Sequence, residues 1–244
     1  MRAIILSAGQ GKRLLPLTLT KPKCLLEVND NQTLLEVQLE ALSRCGIQRT
    51  TVVVGFGADH IERYVRETQF DSMRVDTLYN PFYSVTDNLA TCWMARIAMT
   101  EDFLLLNGDT VFENDLLLRV LEAPHVPIRI TIDRKAEYDA DDMKVSLDSD
   151  HRLRAIGKTL PAHTMDGESI GMLMFRGNGA EAFRSALDRA IRQPESMRRW
   201  YLSIVDELSR KMAVETTSIE GYWWGEVDSI EDLEAVRDRF LQRP

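Results

Sequence analysis

The sequence is short of the residues that staple, span or ligate. Its 244 residues include only three cysteines, Cys24, Cys45 and Cys92, odd in number and far apart. That excludes a disulfide framework or a cysteine zinc site and leads us to expect reduced thiols in a cytoplasm. The histidines, His60, His125, His151 and His163, show no metal or catalytic spacing. No apolar run approaches the roughly 20 residues that cross a bilayer, so no membrane partner is expected. The first residues read directly as a strand, not as a secretory leader. Basic residues are outnumbered, 30 against 38 acidic, for a formal charge of −8. A nucleic-acid polymer is therefore excluded as a natural partner. What is present is enough apolar residue, 44%, for a full core in one large domain.

The basic residues that exist cluster near the N terminus. A short strand, Arg2–Leu6, runs into Leu6–Lys23, LSAGQGKRLLPLTLTKPK. Gly9 and Gly11 let the backbone approach a ligand closely. A glycine-rich turn leaving a strand aims N–H groups at an anion. Lys12, Arg13 and Lys23 add positive charge, and an arginine can grip a phosphate with two parallel bonds. The stretch reads as a nucleoside triphosphate site. It is not a dinucleotide fingerprint, because Leu14 stands where the third glycine belongs, nor a P-loop, because Leu6 and Arg13 occupy its required positions.

The remaining chain alternates strands and helices. Strands are expected at Cys24–Val28, Thr50–Val54, Arg74–Tyr79, Phe103–Leu106, Ile128–Asp133, Gly167–Phe175 and Thr216–Ile219. Helices are expected at Leu34–Cys45, Asp59–Thr68, Leu89–Met99, Asn114–Glu122, Ala180–Arg192 and Met197–Met212, with a turn at Asn29–Gln32 and a hairpin of Lys144–Leu147 with Leu153–Ile156. The alternation implies an α/β fold with a mostly parallel sheet flanked by helices. Asp109 follows a buried strand, where open α/β sheets bind ligands. Asp228 precedes Ser229, which caps a last helix with Asp232 in the capping-box position and leaves Asp228 available as a ligand. The stretch Asp139-Ala140-Asp141 matches the D-x-D of glycosyltransferases only formally. No buried strand delivers it, so it reads as a solvated loop that could rim a pocket.

The order G-x-G-x-R-L-x-P-L-T-x-x-x-P-K-x-L-L resembles the signature of the sugar-1-phosphate nucleotidyltransferase superfamily. Gly9, Gly11, Arg13, Leu14, Pro16, Leu17, Thr18, Pro22, Lys23, Leu25 and Leu26 match it. The segment Asn80–Asn88, NPFYSVTDN, looks like one in its choline-phosphate cytidylyltransferase branch. The resemblance implies a Rossmann-like, glycosyltransferase-A-like fold with a small acceptor-side β lobe. It also implies one domain over 1–244: a nucleotide-binding half of about 1–127, an acceptor half of about 128–220, and a metal motif and helix at 221–244. The nucleotide would meet Leu6, Ala8, Gly9, Gly11, Lys12, Arg13, Gly57, Asn80, Ser84 and Asn88. Arg13 and Lys23 would be catalytic, and Asp109 and Asp228 would hold Mg²⁺. I-G-K at Lys158 and G-E-x-I-G-M at Glu168 resemble the acceptor half, so Asp133, Lys158, Glu168, Trp200 and Tyr201 would face the acceptor. Trp200, Tyr201, Tyr222, Trp223 and Trp224 are candidates for an aromatic cage around a quaternary ammonium.

The implied reaction moves a nucleoside monophosphate, CMP from CTP being favoured, onto phosphocholine, an alcohol phosphate or a phosphonate, and releases pyrophosphate. The partners are thus a nucleoside triphosphate and a small phosphorylated acceptor, with a homodimer left open. The rival readings are a hexose-1-phosphate uridylyl-, thymidylyl- or guanylyltransferase, a glycosyltransferase, and a non-catalytic nucleotide sensor.

Overall fold

The computed structural model describes residues 1–29, 32–68, 70 and 72–242. In chain order the elements are β1 (Arg2–Ser7), α1 (Leu34–Arg44), β2 (Arg49–Val54), α2 (Ala58–Glu67), β3 (Arg74–Tyr79), α3 (Asn88–Met94), β4 (Phe103–Asn107), β5 (Thr110–Phe112) and α4 (Asn114–Glu122). Then come β6 (Ile128–Asp133), β7 (Lys144–Leu147), β8 (Leu153–Gly157), β9 (Gly167–Phe175), α5 (Asn178–Ala190), α6 (Leu202–Ser209), β10 (Val214–Ser218), β11 (Trp224–Glu226) and α7 (Ile230–Leu241). The main sheet runs β10-β6-β9-β4-β1-β2-β3. β3, β2, β1 and β4 are mutually parallel, as are β10 and β6. β9 lies between β4 and β6, antiparallel to both, so the sheet is mostly parallel as expected. The near end of β9 also carries β7, which pairs with β8 in the expected hairpin.

Side chains on a strand alternate between its faces, so each central strand feeds two cores. Ile4, Phe103 and Leu105 join the core under α3, α5 and α6, where Phe103, Phe175 and Phe183 pack ring on ring. Ala3, Ile5, Leu104 and Leu106 join the core under α1 and α4. A third, smaller core gathers Leu14 from the N-terminal loop, Val111 from β5, Val227 just after β11, and Leu233 and Val236 from α7. It ties three distant segments together at one end of the sheet. α1 and α7 both begin with complete capping boxes, Thr33 with Glu36 and Ser229 with Asp232.

Three expected elements differ. Cys24–Val28 is not a strand. Lys23–Leu25 forms a 3₁₀ turn in which Leu25 N donates to Pro22 O at 2.9 Å and Leu26 N to Lys23 O at 3.0 Å. Its apolar side chains divide between two cores, Leu25 in one and Leu26 in the other, so no strand pairing is needed. The helix expected through Met99 stops being α-helical at Met94 and tightens into a 3₁₀ turn over Ala95–Ala98. The helix expected from Met197 begins only at Leu202. The backbone before it is spent elsewhere: Asp87 N donates to Met197 O, Leu89 N to Arg199 O, and Tyr201 N to the Asn88 side chain. The expected turn at Asn29–Gln32 falls partly on residues 30 and 31, outside the described residues.

Candidate active site

β1 ends where the glycine loop begins, and the loop folds back over its own lysine. Gly11 has φ 69°, and a Cβ there would lie 3.0 Å from the Lys23 side chain, so glycine is what lets the two meet. Thr18 Oγ1 donates to Gly11 O at 2.8 Å and fixes the far side of the loop. Next door, β4 ends at Asn107 and the chain turns through Gly108, where a Cβ would strike Ser7 Oγ at 2.2 Å and Leu6 O at 2.6 Å. That close passage delivers Asp109 beside the loop. The turn continues into β5, which pairs antiparallel with β11, so that Glu226 stands opposite Thr110 and Val227 N donates to Asp109 O at 3.0 Å. The ribbon brings Asp228 to Asp109 across nearly half the chain.

Lys23 is the meeting point. Its Nζ lies 2.9 Å from Asp109 Oδ2 and also bonds Asp228 Oδ1. One carboxylate oxygen each of Asp109, Glu226 and Asp228 lie within 4.8 Å of one another. Burial alone would pull the Lys23 ammonium down, but the charges and hydrogen bonds of Asp109 and Asp228 outweigh it and hold its pKa above the ordinary lysine value. Glu226 is pushed up to about 8 by burial and then by the charges of Asp109 and Asp228, with Lys23 opposing. Asp109 Oδ1 is buried and has no hydrogen-bond partner among the described residues. Arg13 bonds Asp228 with one nitrogen and, 3.1 Å from the other, Asp141 Oδ2.

A cleft of about 330 Å³ opens on this cluster. Of the expected nucleotide and metal residues, Leu6, Gly9, Gly11, Lys12, Arg13, Lys23, Asn88, Asp109 and Asp228 line it together. A larger hollow of about 570 Å³ lies between α4 and β10, but it shares none of these residues, and chemistry decides between the two. The other nucleotide-side expectations lie apart. Ala8 is buried and its carbonyl accepts from Phe56 N at 3.0 Å. Gly57, with φ 59°, precedes α2 and passes Pro22 so closely that a Cβ would sit 2.6 Å from its ring. Asn80 is fully buried, donating to Thr91 Oγ1 at 3.0 Å and accepting from Phe82 N at 2.9 Å, so it shapes its own turn. Ser84 sits in a separate hollow beside Arg198.

The acceptor-side residues are more dispersed. Lys158 Nζ lies 2.9 Å from Asp141 Oδ1 and 4.6 Å above the ring of half-exposed Trp200. Glu168 is buried, 3.0 Å from Lys135 Nζ. Burial pushes its pKa up to about 7, against the opposing bond and charge of Lys135. Asp133 pairs with Glu168 across β6 and β9 and accepts from Trp224 Nε1 at 2.7 Å. Tyr201 is wholly buried and touches the site only through partners: its backbone N–H donates to Asn88, and its hydroxyl donates to Asn107 Oδ1 at 3.1 Å. The five aromatics do not form one cage. Tyr222 lies beneath Arg119, Trp223 packs edge-on against Phe240, and Trp224 points at Asp133, which leaves Trp200 as the one with a cation over its face at the cleft.

Sequence reasoning missed Glu226 and Asn107. The signal for Glu226 was its place two residues before Asp228 in an extended segment, which puts both on one side. Asp141, read as solvated loop, is exposed yet joins two cations, Arg13 and Lys158.

Comparison with known proteins places this geometry. The sequence profile of the family described as Nucleotidyl transferase matches residues 2–136. Among curated proteins, the chain is 26% identical to the CTP:phosphoglutamine cytidylyltransferase of Campylobacter jejuni, covering 96% of this chain and 98% of that one. It is 26% identical to the choline-phosphate cytidylyltransferase of Streptococcus pneumoniae, over 98% of this chain and 97% of that one. Among solved structures, it superposes on a UDP-glucose pyrophosphorylase from Acinetobacter baumannii with a TM-score of 0.82 at 14% identity, covering 100% and 94% of the two chains. That last likeness concerns the fold alone. No described helix is long and apolar enough to cross a membrane.

Proposed function

The chain belongs to the nucleotidyl transferase family, and from that premise we propose that it moves CMP from CTP onto a small phosphorylated acceptor and releases pyrophosphate. The observation that carries the reading is the convergence of Asp109, Glu226 and Asp228 on Lys23 at the mouth of the Gly9–Gly11 loop. Choice of CTP is supported by the two cytidylyltransferases, each similar over nearly the whole chain. Phosphocholine, another alcohol phosphate or a phosphonate is the acceptor class. A cationic group on the acceptor is supported by the choline-phosphate cytidylyltransferase that is similar over 98% of this chain.

Lys12 and the loop N–H groups hold the triphosphate tail, and Arg13 grips the departing pyrophosphate. Lys23 bridges the α-phosphate and the acceptor, and Lys158 orients the acceptor phosphate. Such a phosphate has a second pKa near about 6, so it is dianionic at neutral pH and attacks the α-phosphorus without a general base. The protein's task is to hold two anions together and neutralise the charge that gathers between them. The donor set suits Mg²⁺: hard carboxylate oxygens, one of them, Asp109 Oδ1, buried without a partner among the described residues. Asp109 and Asp228 would hold the ion, with Glu226 beside them, and when bound it would stabilise charge on the phosphates.

A pyrophosphate-release screen tests the reading by crossing four nucleoside triphosphates with phosphorylated alcohols, sugars and phosphonates. The expected maximum is CTP with an amine- or ammonium-bearing phosphate. A maximum with another triphosphate and a hexose 1-phosphate would overturn the choice of substrates, and no release from any pair would overturn the enzymatic reading.

A further inference from the structure

The stretch between β6 and β7 places a carboxylate across the mouth of the cleft. Asp141 Oδ2 accepts from Arg13 Nη1 at 3.1 Å, and its Oδ1 accepts from Lys158 Nζ at 2.9 Å. Arg13 lines the cleft and Lys158 follows β8, so the two cations lie 128 and 17 residues from Asp141 in sequence. The stretch that carries Asp141 is itself braced: Asp139 N donates to Asp142 Oδ2 at 2.6 Å, Lys135 Nζ holds Asp142 at 2.7 Å, and Lys144 Nζ reaches Asp139 O. Resting on the reading above, in which Arg13 and Lys158 each meet a phosphate, Asp141 stands where substrate oxygens would go.

We propose that Asp141 is a positioning residue that acts as an intramolecular anion, bonding Arg13 and Lys158 at the rim of the cleft and competing with both substrates for them. Competition outweighs preorganisation because neither cation depends on Asp141 for its place. Arg13 is held separately by Asp228, and Lys158 rests on the face of Trp200. Asp141 is itself 67% exposed, so its two ion pairs are of the weak, solvent-screened kind, each of which a multiply charged phosphate displaces readily. The clasp is therefore open to substrate yet costs a few-fold in affinity for it.

The test compares the full-length protein with Asp141→Asn and with Asp139→Asn. Asp139 is an exposed neighbour whose loss changes the net charge equally. Isothermal titration with inorganic pyrophosphate and with inorganic phosphate reads the clasp without turnover, and initial rates give KM and kcat for CTP and the acceptor. Asp141→Asn should bind both anions about two- to five-fold more tightly and lower both KM values by a similar factor, while Asp139→Asn matches the parent. Unchanged or weaker anion binding in Asp141→Asn, or an equal gain in Asp139→Asn, would overturn the clasp. Absence of pyrophosphate release from the parent would count against the proposed reaction alone, since the titrations need none.

Discussion

The two walls of the cleft are built differently. The wall proposed for the nucleotide consists of backbone and clustered charge: the Gly9–Gly11 turn, the Gly108 passage, and Lys23 among three carboxylates, beside the small core around Leu14, Val111, Val227 and Leu233. The acceptor wall consists largely of long side chains reaching from loops, with Lys158 held by exposed Asp141 and half-exposed Trp200. Backbone-built sites are stiff and intolerant of change, whereas exposed ion pairs contribute little and are readily rearranged. The names of the two cytidylyltransferase relatives share the transferred group and differ in acceptor, phosphoglutamine in one and choline phosphate in the other.

The sharpest way to break this comparison is at Lys23. Lys23→Ala should lower turnover by about two to three decades, the scale seen when one preorganised donor to a developing charge is removed. It also leaves Asp109 and Glu226 close together without that cation and Asp228 with Arg13 alone, and because these carboxylates are partly exposed the loss should be about 1–3 kcal/mol of stability. Millimolar Mg²⁺ should restore much of that stability, read as a rise in Tm, because the ion would take over the charge. A variant with full turnover, or one whose Tm ignores Mg²⁺, would count against the assigned role and the metal site respectively.

Next in size is Leu14→Ala, which opens a void in the core that joins loop, ribbon and α7. Leu14 is fully buried, so the change should cost about 2–5 kcal/mol in urea unfolding. If the nucleotide wall is a rigid unit, KM for CTP should worsen as well, although Leu14 touches no phosphate. Loss of stability with unchanged KM would show that the loop keeps its shape without that anchor.

Much of the nucleotide wall was legible in the sequence because its determinants are local and backbone-based. Gly9, Gly11, Lys12, Arg13 and Lys23 sit in one continuous stretch, Asp109 follows the end of a central strand, a position with meaning in any α/β sheet, and Asp228 precedes a capped helix. Glu226 was missed because its one local cue, the spacing to Asp228, is weak while its partner strand β5 is only three residues long. The acceptor wall read less well for the same reason in stronger form. Asp141 with Arg13, and Asp133 with Trp224, are side-chain pairings across long sequence gaps that no periodicity announces. The late start of α6 is a similar case, since Pro194–Arg198 closes as a separate 3₁₀ turn and Met197, Arg199 and Tyr201 spend backbone groups on α3 and the turn before it.

The acceptor wall also has a pH signature. The folded-state pKa of Glu168, about 7, lies above its ordinary value of 4.5. A carboxyl raised in this way contributes stability that is complete below pH 4.5 and is lost as pH rises through 7. Glu226, raised to about 8, contributes with the same sign over a window that extends higher. Asp142, held below the ordinary aspartate value by Lys135 despite its burial, contributes the opposite slope at lower pH. Urea midpoints measured from pH 5 to 8 should therefore fall, and Glu168→Gln should flatten the portion below about pH 7 by about 1–2 kcal/mol. An unaltered slope in that variant would assign the whole trend to Glu226.

The smallest effect should come from Trp200, which makes it the most sensitive test of the contrast between the walls. Trp200 is 40% exposed and supports the Lys158 ammonium with its ring face. A cation–π contact at an exposed site contributes about 0.5–1 kcal/mol, so Trp200→Ala should raise the acceptor KM by about two- to five-fold and leave KM for CTP alone. Trp200→Phe, which keeps an aromatic face, should recover part of that loss. A fall in turnover by decades would mean instead that Trp200 belongs to a rigid acceptor pocket, as tightly specified as the triphosphate loop. The acceptor wall would then be rigid rather than loose, and Asp141 would be no readily displaced anion.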